Sequence, residues 1–455
     1  MNKEVIIFPT RLEGQGRIRV LLEGDQVERA YFQVSSVRGF ERLCEGRQAE
    51  YLPQLTSRIS GFSSWAYHLA TAKALDGLFQ VEPSPAAKKV RELLLNISIL
   101  DHHLFHLFYL SGPDLFLNPQ TPKLQRNLFN LVTQASIDPE LRKQVFGLRK
   151  ELRGLLLLAG GKVINPVLSL PGGITKPLTN AKRFQAAAGK ALEFALRLKD
   201  FFKERVLANS YYMELLKEEA YIQRTYYMGL VDPQGRLNFY DGLIRVVDPE
   251  GEEFVHFPAQ EYPEQLARHV EPWSYQRFLF LKRVGWKGFT DGPDSGIFTV
   301  GPLGRLNASL GLATPQAEAA REEFHKELGR PVHSSLAADW ARLIELIYAA
   351  ERIGELSQDP EILEPEVRRL PGGPPEEGFG AVEAPEGTVI HHFRTDEEGI
   401  VLEAELLLPA EANAGRLNLA IDQAAKAFFS REGKEPEWWR ERVVLPLRSL
   451  GCQGG

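Results

Sequence analysis

KKVRELLLNISILDHHLFHLFYL, residues 88–110, is the longest amphipathic stretch of the chain. Its apolar residues return at three- and four-residue intervals, the spacing of a helix with one broad buried face. The same spacing runs from Ser64 to Phe79, Pro85 to Ser111, Pro139 to Leu158 and Thr179 to Glu218, and again over 314–329 and 335–357. Together these predict the core of a helical bundle. Outward from it the period changes. EVIIF, RIRVLLEG and VERAYFQVSS alternate in the strand period around a turn at Gly24 and Asp25, which predicts a small antiparallel sheet. DPQG and DPEG punctuate residues 229–256 and predict a second, smaller sheet. GGKVINPVLSLPGG (160–173) holds too many Gly and Pro residues for an element interior and reads as an ordered loop crossing the core. PEILEPEVRRLPGGPPEEGFG (360–380) reads as a surface linker, followed by strands near 387–393 and 399–408, a helix near 411–430 and a short tail from Val443 to Gly455.

The fold class is therefore α+β, a large helical bundle core with small peripheral antiparallel sheets. The regions are 1–55, N-terminal antiparallel sheet; 56–228, helical core; 229–312, small mixed sheet and loops; 313–358, helical core continuation; 359–380, Pro/Gly-rich loop; and 381–455, C-terminal strands, helix and tail. The chain has 455 residues, more than one core usually organises, with 44% hydrophobic and 25% charged residues, which excludes a disordered chain. With 54 basic and 60 acidic residues the formal charge is -6, so no global field draws in nucleic acid or anionic lipid. The two cysteines, Cys44 and Cys452, exclude a disulfide framework and a four-cysteine metal site. No apolar run approaches the roughly 20 residues of a membrane span, and MNKEVIIFPT lacks a leader pattern, so a cytoplasmic location without a direct membrane span is expected.

On residue chemistry alone, two histidine groups draw notice. His102 and His106, at i and i+4 beside His103, share a helix face on which two imidazoles can meet a metal. No HExxH pattern or nearby acidic third ligand accompanies them, so packing and hydrogen bonding are the expected roles. His391 and His392 in IHHF are adjacent on a strand and must point to opposite faces. Neither a Walker lysine nor GxGxxG after a strand is present, so nucleotide binding has little support.

Read in order, the segments resemble the large, catalytic subunit of [NiFe] hydrogenases. The likeness is greater to the cytosolic, F420-non-reducing group that works with heterodisulfide-reductase-type or nicotinamide-reducing modules. TRLEGQGRI (10–18) resembles the family's RxEGH motif, SVRGFERLCEGR (36–47) the next motif, and TSRISGFSSWAYHLATAKALD (56–76) the first metal-binding segment. INPVLSLPGG, EPWSYQRFLFLK, WKGFTDGPDSGIF, VGPLGRLN, WARLIELIYAAER and APEGTVIHHFRTDEEGIV follow in the family's order.

The resemblance implies a nickel–iron centre held by four cysteines in two CxxC pairs, and here the sequence departs. Ser60 and Ser63 occupy both cysteine positions of the first pair. The tail LPLRSLGCQGG keeps Arg448 and one sulfur, Cys452, without DPC, a second cysteine or a final histidine. Thiolates bind soft, low-valent metals, and a serine hydroxyl at neutral pH does not. Glu386 stands where the family's PRG turn carries an arginine facing the anionic centre, Gln15 replaces the RxEGH histidine, Tyr67 stands where many members have histidine, and Asn165 replaces the HP-loop histidine. Glu13 matches a proton-passing glutamate, Arg58 the arginine before the first pair, and Glu41 a glutamate linked to a second metal ion.

The expectation is a degenerate member without the nickel–iron ligands. It would be a component of a cytoplasmic electron-transfer complex with no cofactor or metal in this chain, a structural scaffold for an iron–sulfur small subunit that carries the clusters. Heterodisulfide-reductase-like or flavin-containing redox subunits are further expected partners. The alternative is an oxidoreductase component whose emptied pocket, at Glu13, Tyr67, His68, Glu386 and Cys452, takes a quinone or sulfur compound.

Overall fold

The computed structural model describes residues 3–34, 38–119, 121–133, 138–429 and 436–451. The chain opens with an antiparallel sheet of β1 (Lys3–Ile7), β2 (Gly16–Glu23) and β3 (Gln26–Val34), in that order. Ile18, Val20 and Leu22 face the core while the residues between them face outward, the alternation the strand period dictates.

Four long helices follow: α1 (Ser64–Leu78), α2 (Pro85–Phe105), α3 (Pro139–Gly160) and α4 (Ala181–Phe202). α2 starts where a helix should, with Pro85 in its first turn and the Ser84 hydroxyl accepting the Ala87 N–H at 3.3 Å. Pro85–Leu110 is long and apolar enough to cross a membrane, yet 83% of its apolar window is buried inside the protein. Its flanks are covered by α1 and α3 and by α7, described below. After Phe105 the helix widens into a π turn, His106–Leu110, in which the Ser111 N–H bonds the His106 carbonyl at 3.0 Å. α4 also ends in a π turn, Lys203–Leu207, and Asn209 caps a separate helix, Ser210–Lys217, so the predicted run from 179 to 218 is interrupted.

β4 (Tyr226–Val231), β5 (Leu243–Val247) and β6 (Glu253–Phe257) form the second sheet. Outside these, β7 (Leu266–Val270) pairs antiparallel with β8 (Arg277–Leu281), and β9 (Phe298–Thr299) joins the second sheet parallel to β4. The chain returns to the bundle through α5 (Gly301–Ala308), α6 (Pro315–Leu328) and α7 (Ala338–Gln358). The third sheet is β10 (Glu377–Ala384), β11 (Gly387–Thr395) and β12 (Val401–Leu407), and α8 (Pro409–Phe429) and α9 (Pro436–Leu450) complete the core.

Two expectations are corrected. The Pro/Gly-rich 359–380 segment ends inside β10, whose glycines disguised it. A Cβ at Gly378 or Gly380 would stand 2.0 Å from the Ala74 or Ala70 carbonyl oxygen of α1, so the strand lies directly on the helix backbone. The tail expected from Val443 is helical through Leu450. Val443, Val444 and Leu447 are buried, and Pro446 inside the helix hid the pattern.

Candidate functional site

Four segments far apart in sequence converge on one buried point. Glu13 comes from the β1–β2 connection, Ser63 from the residue preceding α1, His102 and His106 from the end of α2, and Glu386 from the turn between β10 and β11. His102 Nε2 lies 2.9 Å from Glu386 Oε1 and 3.0 Å from Glu13 Oε1, with all three side chains at most 4% exposed. His106, one helical turn later, places Nδ1 3.0 Å from the same Glu13 oxygen, and its Nε2 faces the Arg448 carbonyl at 2.8 Å. Ser63 Oγ donates to Glu386 Oε2, and Asn413 Nδ2 donates to the Glu386 carbonyl at 3.2 Å. Among the described residues, Glu13 Oε2, Glu386 Oε1 and both ring nitrogens of His102 have no hydrogen bond of acceptable geometry.

Burial alone would lower the His102 pKa, but Glu13 and Glu386 outweigh it and raise it to about 10. Burial would raise Glu13, and His102 and His106 more than reverse this, holding its carboxyl well below its ordinary value. His106 is pulled down by burial and by Arg342, so its neutral ring donates to only one of its two acceptors.

A second buried network holds Glu386 in place. Arg305 of α5 clasps Glu345 through Nε and Nη2, both at 2.6 Å, and Glu383 through Nη1 at 2.8 Å. It also donates to the carbonyls of Ala384 and Pro385, at 2.8 and 3.0 Å, which fixes the turn carrying Glu386. Gly301, with φ of 82°, lets α5 begin against that turn, since a Cβ there would stand 2.7 Å from the Glu386 carbonyl oxygen. His103 points away from Glu13, with Nε2 2.9 Å from Glu345 Oε2.

The other sequence candidates separate around this point. Ser60 is half-buried, its Oγ accepting the Ser63 N–H at 3.4 Å, while Arg58, Gly61 and Phe62 are exposed. Gln15 is exposed and takes no part. Tyr67 is buried and stacks on His391, with centroids 5.9 Å apart. His68 is saturated by the Pro53 carbonyl and the Ser169 N–H, both at 3.0 Å, so as a pocket candidate it is corrected to a structural residue joining α1 to the 160–173 loop. Burial lowers its pKa to about 4. Asn165 takes a φ of 56°, a left-handed conformation that asparagine tolerates, and donates its N–H to Ser64 Oγ. Glu41 is paired with Arg277. Cys452 lies outside the described residues, but the chain leading to it is anchored: Arg342 donates to the Ser449 carbonyl at 2.8 Å and Arg448 to Thr10 and Asp114. His391 and His392 do face opposite sides, the first bonded to Thr71 and the second to Glu377.

Sequence reasoning set His102 and His106 aside for want of a nearby acidic partner. The partners are Glu13 and Glu386, 89 positions before and 284 after His102, and no local spacing reveals them. Arg305 and Glu345 lie in VGPLGRLN and WARLIELIYAAER, which carry no signal that the two residues pair.

The family model described as "Nickel-dependent hydrogenase" matches residues 38–121. An iron-sulfur subunit of the F420-non-reducing hydrogenase of Archaeoglobus profundus is 39% identical over 438 residues, covering 95% of this chain and 89% of that protein. The NAD-reducing hydrogenase HoxS subunit beta of Cupriavidus necator is 31% identical over 468 residues, covering 99% and 93%. A crystal structure of an NAD+-reducing [NiFe]-hydrogenase in the H2-reduced state superposes with a TM-score of 0.91 at 32% identity, covering 99% of this chain and 98% of that one.

These likenesses correct the expectation that the chain carries no cofactor. The chain matches the nickel-dependent hydrogenase model and is similar along its whole length to a protein described as a [NiFe]-hydrogenase, so the absence of a cofactor no longer stands as the expectation. The described residues nonetheless do not fit a thiolate-bridged pair of metals. The one cysteine among the described residues, Cys44, belongs to the helix Phe40–Cys44, and burial pushes its thiol up to about 12. At the convergence point the donors among the described residues are carboxylate, imidazole and hydroxyl.

Proposed function

The chain belongs to the nickel-dependent hydrogenase large-subunit family, and from that membership we propose that it is the large-subunit-like component of a cytoplasmic redox complex, a scaffold docked on an iron–sulfur small subunit, with its metal pocket rebuilt from sulfur to oxygen and nitrogen donors. The observation that carries this reading is the pairing of a retained fold with an exchanged donor set. Ser63 and Glu386 are bonded to each other at the pocket, where a cysteine and an arginine are the family pattern the sequence resembles. The docking side is supported by exposure. Phe8, Arg58 and Phe62 are uncovered, Phe8 at 72%, while the acidic and imidazole groups beside these segments are buried. Exposed apolar and basic side chains on segments that also supply buried charged groups are the kind of feature a partner covers.

Co-expression with a cognate iron–sulfur small subunit tests the reading. The expected product is an equimolar complex whose cluster absorbance elutes with this chain, and Arg58→Glu should weaken assembly at least about tenfold, near 1.4 kcal/mol, with the fold unchanged. A chain that elutes by itself, with the small subunit folded and cluster-loaded, would overturn it.

A second reading, a pocket for a small redox molecule such as a quinone or sulfur compound, has one observation in its favour. A cavity of about 630 Å³ lined by Ser111, Asp114, Trp340, Asp339 and Arg448 lies beside the site. His106, with Nε2 3.6 Å from Asp339 Oδ1, joins it to Glu13.

A further inference from the structure

We infer that Glu13, His102 and Glu386 form a mononuclear binding site for a divalent first-row transition-metal ion, held by two carboxylates and one imidazole. The inference rests on the reading that the family's pocket persists with its donors exchanged. Three observations carry it.

The first is spacing. One ligand atom from each residue lies within 4.8 Å of the others, and His102 Nε2 sits 2.9 and 3.0 Å from the two carboxylate oxygens. Two ligands at right angles on an ion with bonds of about 2.1 Å stand about 3.0 Å apart. The second is unused capacity. His102 Nε2 and Glu386 Oε1 are buried and have no hydrogen bond among the described residues, although they lie 2.9 Å apart; the second Glu13 oxygen, Oε2, is buried and has no hydrogen bond there either. An imidazole can offer only one N–H at Nε2, which two carboxylates would have to share, whereas a cation bonds each of them fully. The third is support. Ser63 Oγ holds Glu386 Oε2, Asn413 holds the Glu386 carbonyl, and His106 reaches Glu13 from the π turn, which are outer contacts of the kind that orient metal ligands. The exposed Phe62 ring stands edge-on to His102, with centroids 6.2 Å apart, so one ring layer separates the imidazole from the surface there.

The ligand types set the class of ion. Imidazole with two carboxylates suits Zn²⁺, Fe²⁺, Mn²⁺ or Ni²⁺, is too hard for Cu(I), and offers too few oxygens for Ca²⁺. Two carboxylates neutralise a divalent charge. Three protein ligands leave at least one position open to water, as in zinc sites that do chemistry.

The test uses the full chain in its complex with the small subunit, stripped with a chelator that leaves the clusters intact and dialysed to equilibrium against Zn²⁺. The unmodified complex should retain one additional zinc per chain. Glu386→Gln and His102→Gln should each lower the affinity at least about 100-fold, and the surface change His256→Gln should not alter it. If the two variants fail to fold, anomalous density at the zinc edge in the unmodified protein decides the matter: a peak bounded by Glu13, His102 and Glu386 supports the site. No added zinc in an intact complex, or zinc uptake indifferent to folded Glu386→Gln and His102→Gln, overturns it. Assembly measured in the same samples keeps the two readings apart, because a complex that assembles yet takes up no zinc refutes only the metal site.

Discussion

Arg305 with Glu345 and Glu383, and His102 with Glu13 and Glu386, are two buried assemblies of the same make: one cationic side chain between two carboxylates. In the first, the guanidinium makes five hydrogen bonds, three to carboxylate oxygens and two to carbonyls, and Glu383 accepts from the Leu230 N–H and Thr388 hydroxyl as well. In the second, an imidazole nitrogen faces two carboxylates and satisfies neither, and a carboxylate oxygen on each glutamate goes without a bond. A saturated assembly leaves nothing for a ligand to gain, so its role is to hold the β10–β11 turn. An unsaturated one at equal burial is held by charge attraction yet leaves polar atoms without hydrogen bonds, and that is the signature of a place built to receive something.

The largest expected effect is on the saturated side. Arg305→Met would strand two buried carboxylates and should cost about 3–5 kcal/mol, read as a lowered urea midpoint with an unchanged slope. A cost below about 1 kcal/mol would erase the distinction between the two assemblies. Next in size is an acid limb from the histidines that pack beneath the site. Burial lowers His68 to about 4 and His391 to about 3, so both fold neutral. A base with a depressed folded pKa binds more protons when unfolded, so the contribution of these two histidines is complete above pH 6.5 and falls as the pH drops from there toward 4. The loss from His68 alone should reach roughly 3 kcal/mol at pH 4, and thermal unfolding from pH 7 to 4 would show it. An acid-side curve unchanged by His68→Gln would contradict the assignment. The smallest effect belongs to the unsaturated assembly. Glu386→Gln keeps an acceptor for Ser63 and removes one poorly matched charge, so metal-free stability should move by less than about 1 kcal/mol. A loss as large as that of Arg305→Met would show that the cluster is a structural ion pair.

Helix periodicity placed α1, α2, α3, α6 and α7 to within a few residues, because each buries a broad face and the spacing records it. β10 and α9 were illegible for opposite reasons. β10 needs glycine to lie on α1, and glycine carries no hydrophobic signal; α9 contains Pro446, which reads as a stop. At the site, the motif resemblance singled out Glu13, Ser63 and Glu386, yet the residue that joins them, His102, was read as packing. Its meaning depends on contacts across the whole chain, which local spacing does not encode. The expected absence of a cofactor, reached by counting cysteines, is overturned by the likeness to nickel-dependent and [NiFe] hydrogenases.

The central claim is that sulfur has been exchanged for oxygen and nitrogen at this pocket. X-ray absorption of the complex as isolated, at the nickel, iron and zinc edges, tests it most directly, with the separated small subunit measured to subtract its cluster iron. The expected result is a single first-row metal per large subunit beyond those clusters, with a shell of light scatterers at about 2.0–2.2 Å and no sulfur shell. A nickel edge with sulfur near about 2.3 Å and a second metal close by would contradict the account.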